Sequence, residues 1–188
     1  MKNILITGGA GFIGSNLSLA LISKGYIVTV LDNLSTQIHG ENPEITSPLY
    51  NSIRNKVNFI KGTVTSRTDW EKALKNQDVI IHFAAETGTG QSMYCIEKYT
   101  EVNIQGTSIM LDILANQKHQ VKKIVIASSR SIYGEGKYMH PEFGAVYPNH
   151  RNEEDMLAGD FEVTYKDYSN LKLVGTDEES KIHPSSVY

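Results

Sequence analysis

Cysteine is almost missing from this chain: Cys95 stands alone among 188 residues. One thiol cannot close an internal disulfide or supply a cysteine-rich zinc site. Long apolar runs are missing too. At the N-terminus the longest aliphatic stretch is Ile4-Leu5-Ile6, too short for a signal-peptide core or for the ~20 residues that cross a bilayer. Neither sign of charge prevails, since 18 Lys and Arg against 21 Asp and Glu leave a net charge of −3. That balance excludes a basic footprint for nucleic acid and a polybasic membrane anchor. The expectation is a soluble, cytoplasmic protein with neither partner.

Apolar bulk is plentiful. Hydrophobic residues make up 40% of the chain, with ten Tyr, five Phe and one Trp, which suits a packed core and excludes wholesale disorder. The length suits one folded domain better than two.

Through residue 135, apolar strand runs alternate with helical periods. Strands are expected at 2–7, 27–31, 57–61, 78–84 and 123–128. A helix is expected over 11–24, closed by Gly25, and a long one over 96–117, with Val102, Ile109, Ile113 and Leu114 inward. Ser66-Arg67-Thr68-Asp69 has the form of a capping box opening a helix whose Trp70, Ala73 and Leu74 share a face. Residues 33–55 are polar, contain Pro43 and Pro48, and read as loop with one short helix. The strands are continuously apolar rather than alternating, so a parallel sheet covered on both faces is expected. Residues 136–183 lose the rhythm and show no period.

Thr7-Gly8-Gly9-Ala10-Gly11-Phe12-Ile13-Gly14 places glycines at 8, 11 and 14, directly after an apolar strand and at the mouth of a helix. Glycine lets the backbone turn tightly and approach a pyrophosphate without a Cβ in the way. The N–H groups at the helix start, those of Phe12 and Ile13, would then face the anion. Asp32 ends the second strand, where a carboxylate accepts hydrogen bonds from ribose hydroxyls and repels a 2′-phosphate. The pattern therefore reads as NAD binding in preference to NADP.

With these residues placed, the chain resembles the extended short-chain dehydrogenase/reductase family, among its nucleotide-sugar epimerases and dehydratases. TGGAGFIG at 7–14, LDN at 31–33, HFAA at 82–85, Asn103 to Thr107, SSRSIYG at 128–134 and PSSVY at 184–188 carry the resemblance. TGTGQSMY at 87–94, SSRSIYGEGKY at 128–138 and TDEES at 176–180 bring it nearest to 4-epimerases, among them the dTDP-L-rhamnose and UDP-glucose types. A 4,6-dehydratase and a non-catalytic NAD-binding fragment are the alternatives.

The resemblance implies a Rossmann-like, doubly wound α/β/α sandwich with strand order 3-2-1-4-5. It implies an NAD-binding domain over 1–135 and an irregular extension over 136–188 leading to the catalytic tyrosine. The C-terminal substrate domain would be lacking. The implied chemistry is oxidation of a dTDP- or UDP-sugar at C4, with hydride returned to the opposite face of the 4-keto sugar. Ser129 and Tyr188 would be the catalytic pair. Gly8, Gly11, Phe12, Ile13, Gly14, Asp32, Asn33, Phe83, Ala84, Ala85, Thr87 and Asn103 would hold the cofactor, and Gln91 and Ser92 the substrate. A homodimer is implied for the intact protein. The family's lysine, four residues after the tyrosine, would fall beyond position 188, so this chain alone is expected to be silent. Thr63 stands where the family usually has an Asp near the adenine. His82 reads as a packed, hydrogen-bonded histidine, Cys95 as inert packing, and His140, His150 and His183 lack metal-ligand spacing.

Overall fold

A computed structural model describes residues 2–188. Its elements in chain order begin with β1 (Asn3–Thr7), α1 (Phe12–Ser23) and β2 (Ile27–Asp32). Three short helices follow, α2 (Thr36–His39), α3 (Pro43–Thr46) and α4 (Pro48–Ile53). Then come β3 (Asn58–Lys61), α5 (Arg67–Ala73), β4 (Val79–His82), α6 (Thr89–Ser92), α7 (Ile96–Tyr99), α8 (Gly106–Asn116) and β5 (Lys123–Ile126). The last part carries β6 (Tyr138–His140), β7 (Gly144–Val146), α9 (Glu153–Leu157) and β8 (Lys172–Leu173).

The chain divides into two compact units. The first runs through Thr87 and resumes over Cys95–Ala127; the second joins Gly88–Tyr94 to Ser128–Tyr188.

In the first unit, five strands are parallel, as the continuously apolar runs predict, and stand in the order β3-β2-β1-β4-β5 that the resemblance implies. β1 shows why both faces are covered. Successive side chains of a strand point to opposite faces. Leu5 packs with Leu31, Trp70, Ala73, Ile80, Met110 and Ile113. Ile4 and Ile6 pack on the other side with Ala10, Val28, Val30 and Ile53. Fully burying side chains of this size stabilises the fold by roughly 1.5–3 kcal/mol each. Trp70 is wholly buried, and its indole N–H donates to the Val64 carbonyl at 2.7 Å.

Two local expectations are corrected and a third gains detail. Residues 33–55 hold three short helices rather than one. Proline opens α3 and α4 at the first turn, where the missing N–H does no harm, and the Ser47 hydroxyl caps α4 by accepting the Tyr50 N–H at 3.2 Å. The expected helix over 96–117 runs continuously from Ile96 to Asn116, with a wider π-helical stretch, Thr100–Gln105, joining α7 to α8. The Ser66 hydroxyl does cap α5 from the Asp69 N–H at 3.3 Å. The Asp69 carboxylate, however, reaches out of the helix to the Thr63 N–H at 3.1 Å instead of closing the box.

In the second unit, the stretch expected to be irregular forms a small antiparallel sheet, β7-β6-β8. Tyr138, Val146 and Val163 make its buried core. Strands of two or three residues are too short to show a period in sequence.

Candidate functional site

The glycine turn lies at the carboxyl edge of β1, in the first unit. Gly8 has φ of 65°, and a Cβ there would come within 2.8 Å of the Ala84 backbone nitrogen. Its N–H donates to the Leu31 carbonyl at 2.9 Å, which ties the turn to the end of β2. A Cβ at Gly14 would come 2.5 Å from the Gly8 carbonyl oxygen and 2.6 Å from the Gly9 Cα, so helix and turn touch backbone to backbone. Gly11 differs from both. A Cβ there meets only the Gly8 carbonyl oxygen, at 3.4 Å.

Gly11 is the N-cap of α1 and brings no side chain. No acidic residue sits in the first turn, which Phe12 and Ile13 begin with side chains 74% and 64% exposed. The amides of this turn have no carbonyl a turn earlier to receive them. A helix mouth with backbone donors, no carboxylate in its first turn and room above Gly11 fits a pyrophosphate.

Asp32 closes the cradle on one side. It is buried, and its Oδ2 accepts the Ala10 N–H at 2.9 Å while Oδ1 accepts the Leu34 N–H at 2.9 Å. The Ala10 contact joins the glycine turn and the strand-end carboxylate into one piece. A carboxylate with further lone pairs at this place fits a ribose diol. The Asn33 side-chain Oδ1 accepts the Ser35 N–H at 3.0 Å, and the residue is exposed. These residues thus fit a dinucleotide.

Beyond β4, Phe83 and Ala84 are half-buried and tied to β1. The Phe83 N–H donates to the Thr7 carbonyl at 3.1 Å, and the Ala84 N–H to the Thr7 hydroxyl at 3.1 Å. Ala85 and Thr87 are exposed, and the Thr87 carbonyl accepts the Tyr99 hydroxyl at 2.6 Å. Asn103, inside the π-helical stretch, clamps Glu86 with its side chain: Oδ1 accepts the Glu86 N–H at 2.9 Å, and Nδ2–H donates to the Glu86 carbonyl at 3.0 Å. The wider π turn, a feature common at functional sites, carries the clamping residue.

His82 is the packed histidine that was expected. Burial holds it at about 4, well below the ordinary imidazole value. Thr63 makes no adenine-side carboxylate; its hydroxyl pairs with that of Thr65 at 3.0 Å.

The second unit carries the remaining candidates. Ser129 is half-buried and caps the 3-10 turn Arg130–Tyr133, its hydroxyl accepting the Ser131 N–H at 3.1 Å. Ser92 is buried, donates its hydroxyl to the Thr89 carbonyl at 2.6 Å and accepts the Tyr188 N–H at 3.1 Å. The substrate candidate Ser92 and the catalytic candidate Tyr188 are therefore direct neighbours. Gln91 precedes Ser92 on α6 and is half-buried. The 183–188 segment is fixed against the Ser129 turn by the His183 N–H, which donates to the Ile132 carbonyl at 2.8 Å.

Two residues near the cradle escaped the sequence reading. His39 and Ser47 are both buried, with His39 Nδ1 2.7 Å from the Ser47 hydroxyl and Nε2 3.8 Å from Asp32 Oδ1. The only sequence signal was a lone histidine in a polar stretch, followed by Ser-Pro.

Known proteins resemble the chain in sequence and in fold. The chain is 33% identical over 190 residues to dTDP-L-rhamnose 4-epimerase of Burkholderia thailandensis, covering 100% of this chain and 50% of that protein. It is 32% identical over 157 residues to the UDP-glucose 4-epimerase of Mus musculus, covering 79% and 45%. Among solved structures, UDP-N-acetylglucosamine 4-epimerase from Methanobrevibacter ruminantium, in complex with UDP-N-acetylmuramic acid, superposes with a TM-score of 0.64 at 25% identity, over 100% of this chain and 46% of the other. UDP-glucose 4-epimerase from Bifidobacterium longum, in complex with NAD+ and UDP, gives 0.59 at 32% identity, over 71% and 38%. The chain thus spans half or less of the length of these relatives. Residues 4–181 match the NAD dependent epimerase/dehydratase family, and the chain belongs to that family.

Proposed function

We propose that this chain is the NAD-binding portion of a nucleotide-sugar 4-epimerase. The single observation that carries the reading is the Ala10–Asp32 hydrogen bond at 2.9 Å. It unites a glycine cradle open to a pyrophosphate with a carboxylate placed for ribose hydroxyls. Relatives named as 4-epimerases, and a neighbour solved with NAD+ and UDP, support the same assignment.

When bound, the nicotinamide supplies a site that takes a hydride from the sugar and gives it back. The chain's own residues do the rest. The amides of Phe12 and Ile13 bind the pyrophosphate, and Asp32 accepts the ribose hydroxyls. Gly8, Gly11 and Gly14 let backbone and phosphate approach, while Asn33, Phe83, Ala84, Ala85, Thr87 and Asn103 shape the remaining wall. Tyr188 takes the proton of the sugar C4 hydroxyl, and Ser129 donates a hydrogen bond to the same oxygen as charge develops there. Gln91 and Ser92 bind the sugar on α6. The substrate is a dTDP- or UDP-sugar, and the intact protein is a homodimer.

The test is a 4-epimerase assay with dTDP- and UDP-sugars, on this chain and on a chain carrying sequence beyond residue 188. Turnover in the longer chain that falls at least a hundredfold in Ser129→Ala and in Tyr188→Phe is the expected result. Turnover insensitive to both substitutions would overturn the assignment of the pair.

A further inference from the structure

The Asp32 carboxylate is held from more than the cradle side. Two of its lone-pair positions are taken by the Ala10 and Leu34 N–H groups, each at 2.9 Å. Behind Oδ1, at 3.8 Å, stands Nε2 of His39. On the far side of that ring, Nδ1 lies 2.7 Å from the Ser47 hydroxyl, which also accepts the Tyr50 N–H at 3.2 Å. The arrangement that satisfies every group has the Ser47 proton on Nδ1 and the ring proton on Nε2, facing Asp32.

Asp32, His39 and Ser47 are all buried, and the segment that carries the ring is closed on itself. The Thr46 hydroxyl donates to the His39 carbonyl. A Cβ at Gly40 would meet the Thr46 hydroxyl oxygen at 2.7 Å. Burial places the imidazole, and the Ser47 contact sets its rotation.

We propose that His39 is a positioning residue for cofactor choice. Backed by Ser47, its Nε2–H keeps Asp32 dry and in the one orientation that meets both ribose hydroxyls and repels a 2′-phosphate. This inference rests on Asp32 being the ribose carboxylate. It adds a residue that touches no cofactor and acts only through Asp32.

Calorimetric affinities of the 188-residue chain for NAD and for NADP supply the test. His39→Asn keeps an acceptor for the Ser47 hydroxyl and removes the N–H that faces Asp32. The preference for NAD over NADP should shrink by about twofold to threefold, the low end for a polar contact, because 3.8 Å is a charge–dipole approach and not a hydrogen bond. His39→Gln returns an amide N–H toward Asp32 and should recover most of the preference. In an Asp32→Ala background, His39→Asn should leave the ratio unchanged, which a merely structural role would not do. If His39→Asn fails to fold, Ser47→Ala, which leaves the ring but frees it to turn, is read in the same assay with the same expected direction. An unaltered ratio in these variants, while Asp32→Ala abolishes the preference, overturns the proposal alone. An Asp32→Ala chain that still prefers NAD overturns the reading of Asp32, and the proposal with it.

Discussion

Nδ1 of His82 lies 2.6 Å from the hydroxyl of Thr7, the two residues facing each other as the last paired positions of β4 and β1. The Thr7 oxygen already accepts the Ala84 N–H, so its own proton goes to Nδ1. At Nε2, 3.1 Å away, the Thr107 hydroxyl gives its proton to the Asn103 carbonyl, so the ring donates there. The ring is thus neutral with its proton on Nε2, and a second proton on Nδ1 would confront the Thr7 O–H.

This makes stability depend on pH in a stated direction. Burial lowers His82 to about 4 in the folded protein, against about 6.5 in the unfolded chain. Between these values the unfolded state binds more protons. The stabilisation is therefore complete above about pH 6.5 and is lost as pH falls toward 4, by up to about 3 kcal/mol. Trp70, the only tryptophan, packs against His82 with ring centroids 5.5 Å apart and planes inclined at 54°, so its fluorescence reports urea unfolding beside the group itself. His82→Gln should lower stability at pH 7 and flatten the slope between pH 6.5 and 4. An equal slope in both proteins would assign the pH dependence elsewhere.

Gly11 and Gly14 should separate binding from folding. The Cβ of an alanine at 14 would press on Gly8 and Gly9 backbone, at 2.5 and 2.6 Å, so Gly14→Ala should lower the melting temperature by several degrees. At Gly11 the space is open toward the cradle, and Gly11→Val should fold with nearly the original melting temperature yet lose NAD affinity more than tenfold, the branched side chain filling the pyrophosphate's place. Thermal scans and calorimetry on both variants check this. A folded Gly11→Val chain with unchanged affinity would remove the cradle from the site.

The Asn103 clamp on Glu86 carries the loop that leaves β4. Asn103→Ala strips partners from the N–H and carbonyl of Glu86 at once, and should cost about 1–3 kcal/mol of stability. Amide exchange at residues 84–87 should quicken more than exchange in β1. Uniform quickening across the sheet would mean that the clamp has no local role.

β5 ends the five-stranded sheet, and Ile124, Val125 and Ile126 are 37%, 40% and 50% exposed. An apolar sheet edge seeks a partner. Size exclusion with light scattering should show the isolated 188-residue chain associating with rising concentration, and Val125→Lys should reduce that association. A monomer at every concentration would show that this edge is inert.

Much of the first unit was legible because its determinants are local. Ile4-Leu5-Ile6 buries side chains on both faces whatever lies elsewhere, and that signature of a parallel strand repeats at each of the inner runs. The glycines at 8 and 14 are fixed by backbone contacts within a few residues or to a neighbouring strand, so the motif kept its meaning in three dimensions. The rest depended on contacts the sequence does not advertise. His39 has its meaning from Asp32 and Ser47. The π turn at Asn103 has no compositional mark, since Val102 and Ile109 keep a helical spacing across it. β6, β7 and β8 pair over two or three residues, below the length at which alternation can be read.

The most direct measurement of the central claim is calorimetric titration of NAD and NADP into this chain, repeated with Asp32→Ser. The expected result is binding of NAD with clear preference over NADP in the original chain. In the variant, NAD affinity should weaken and the preference should largely disappear, as the carboxylate that accepts the ribose hydroxyls and repels a 2′-phosphate is gone. Equal affinity of the original chain for both cofactors, or no binding of either by the folded protein, would contradict the claim.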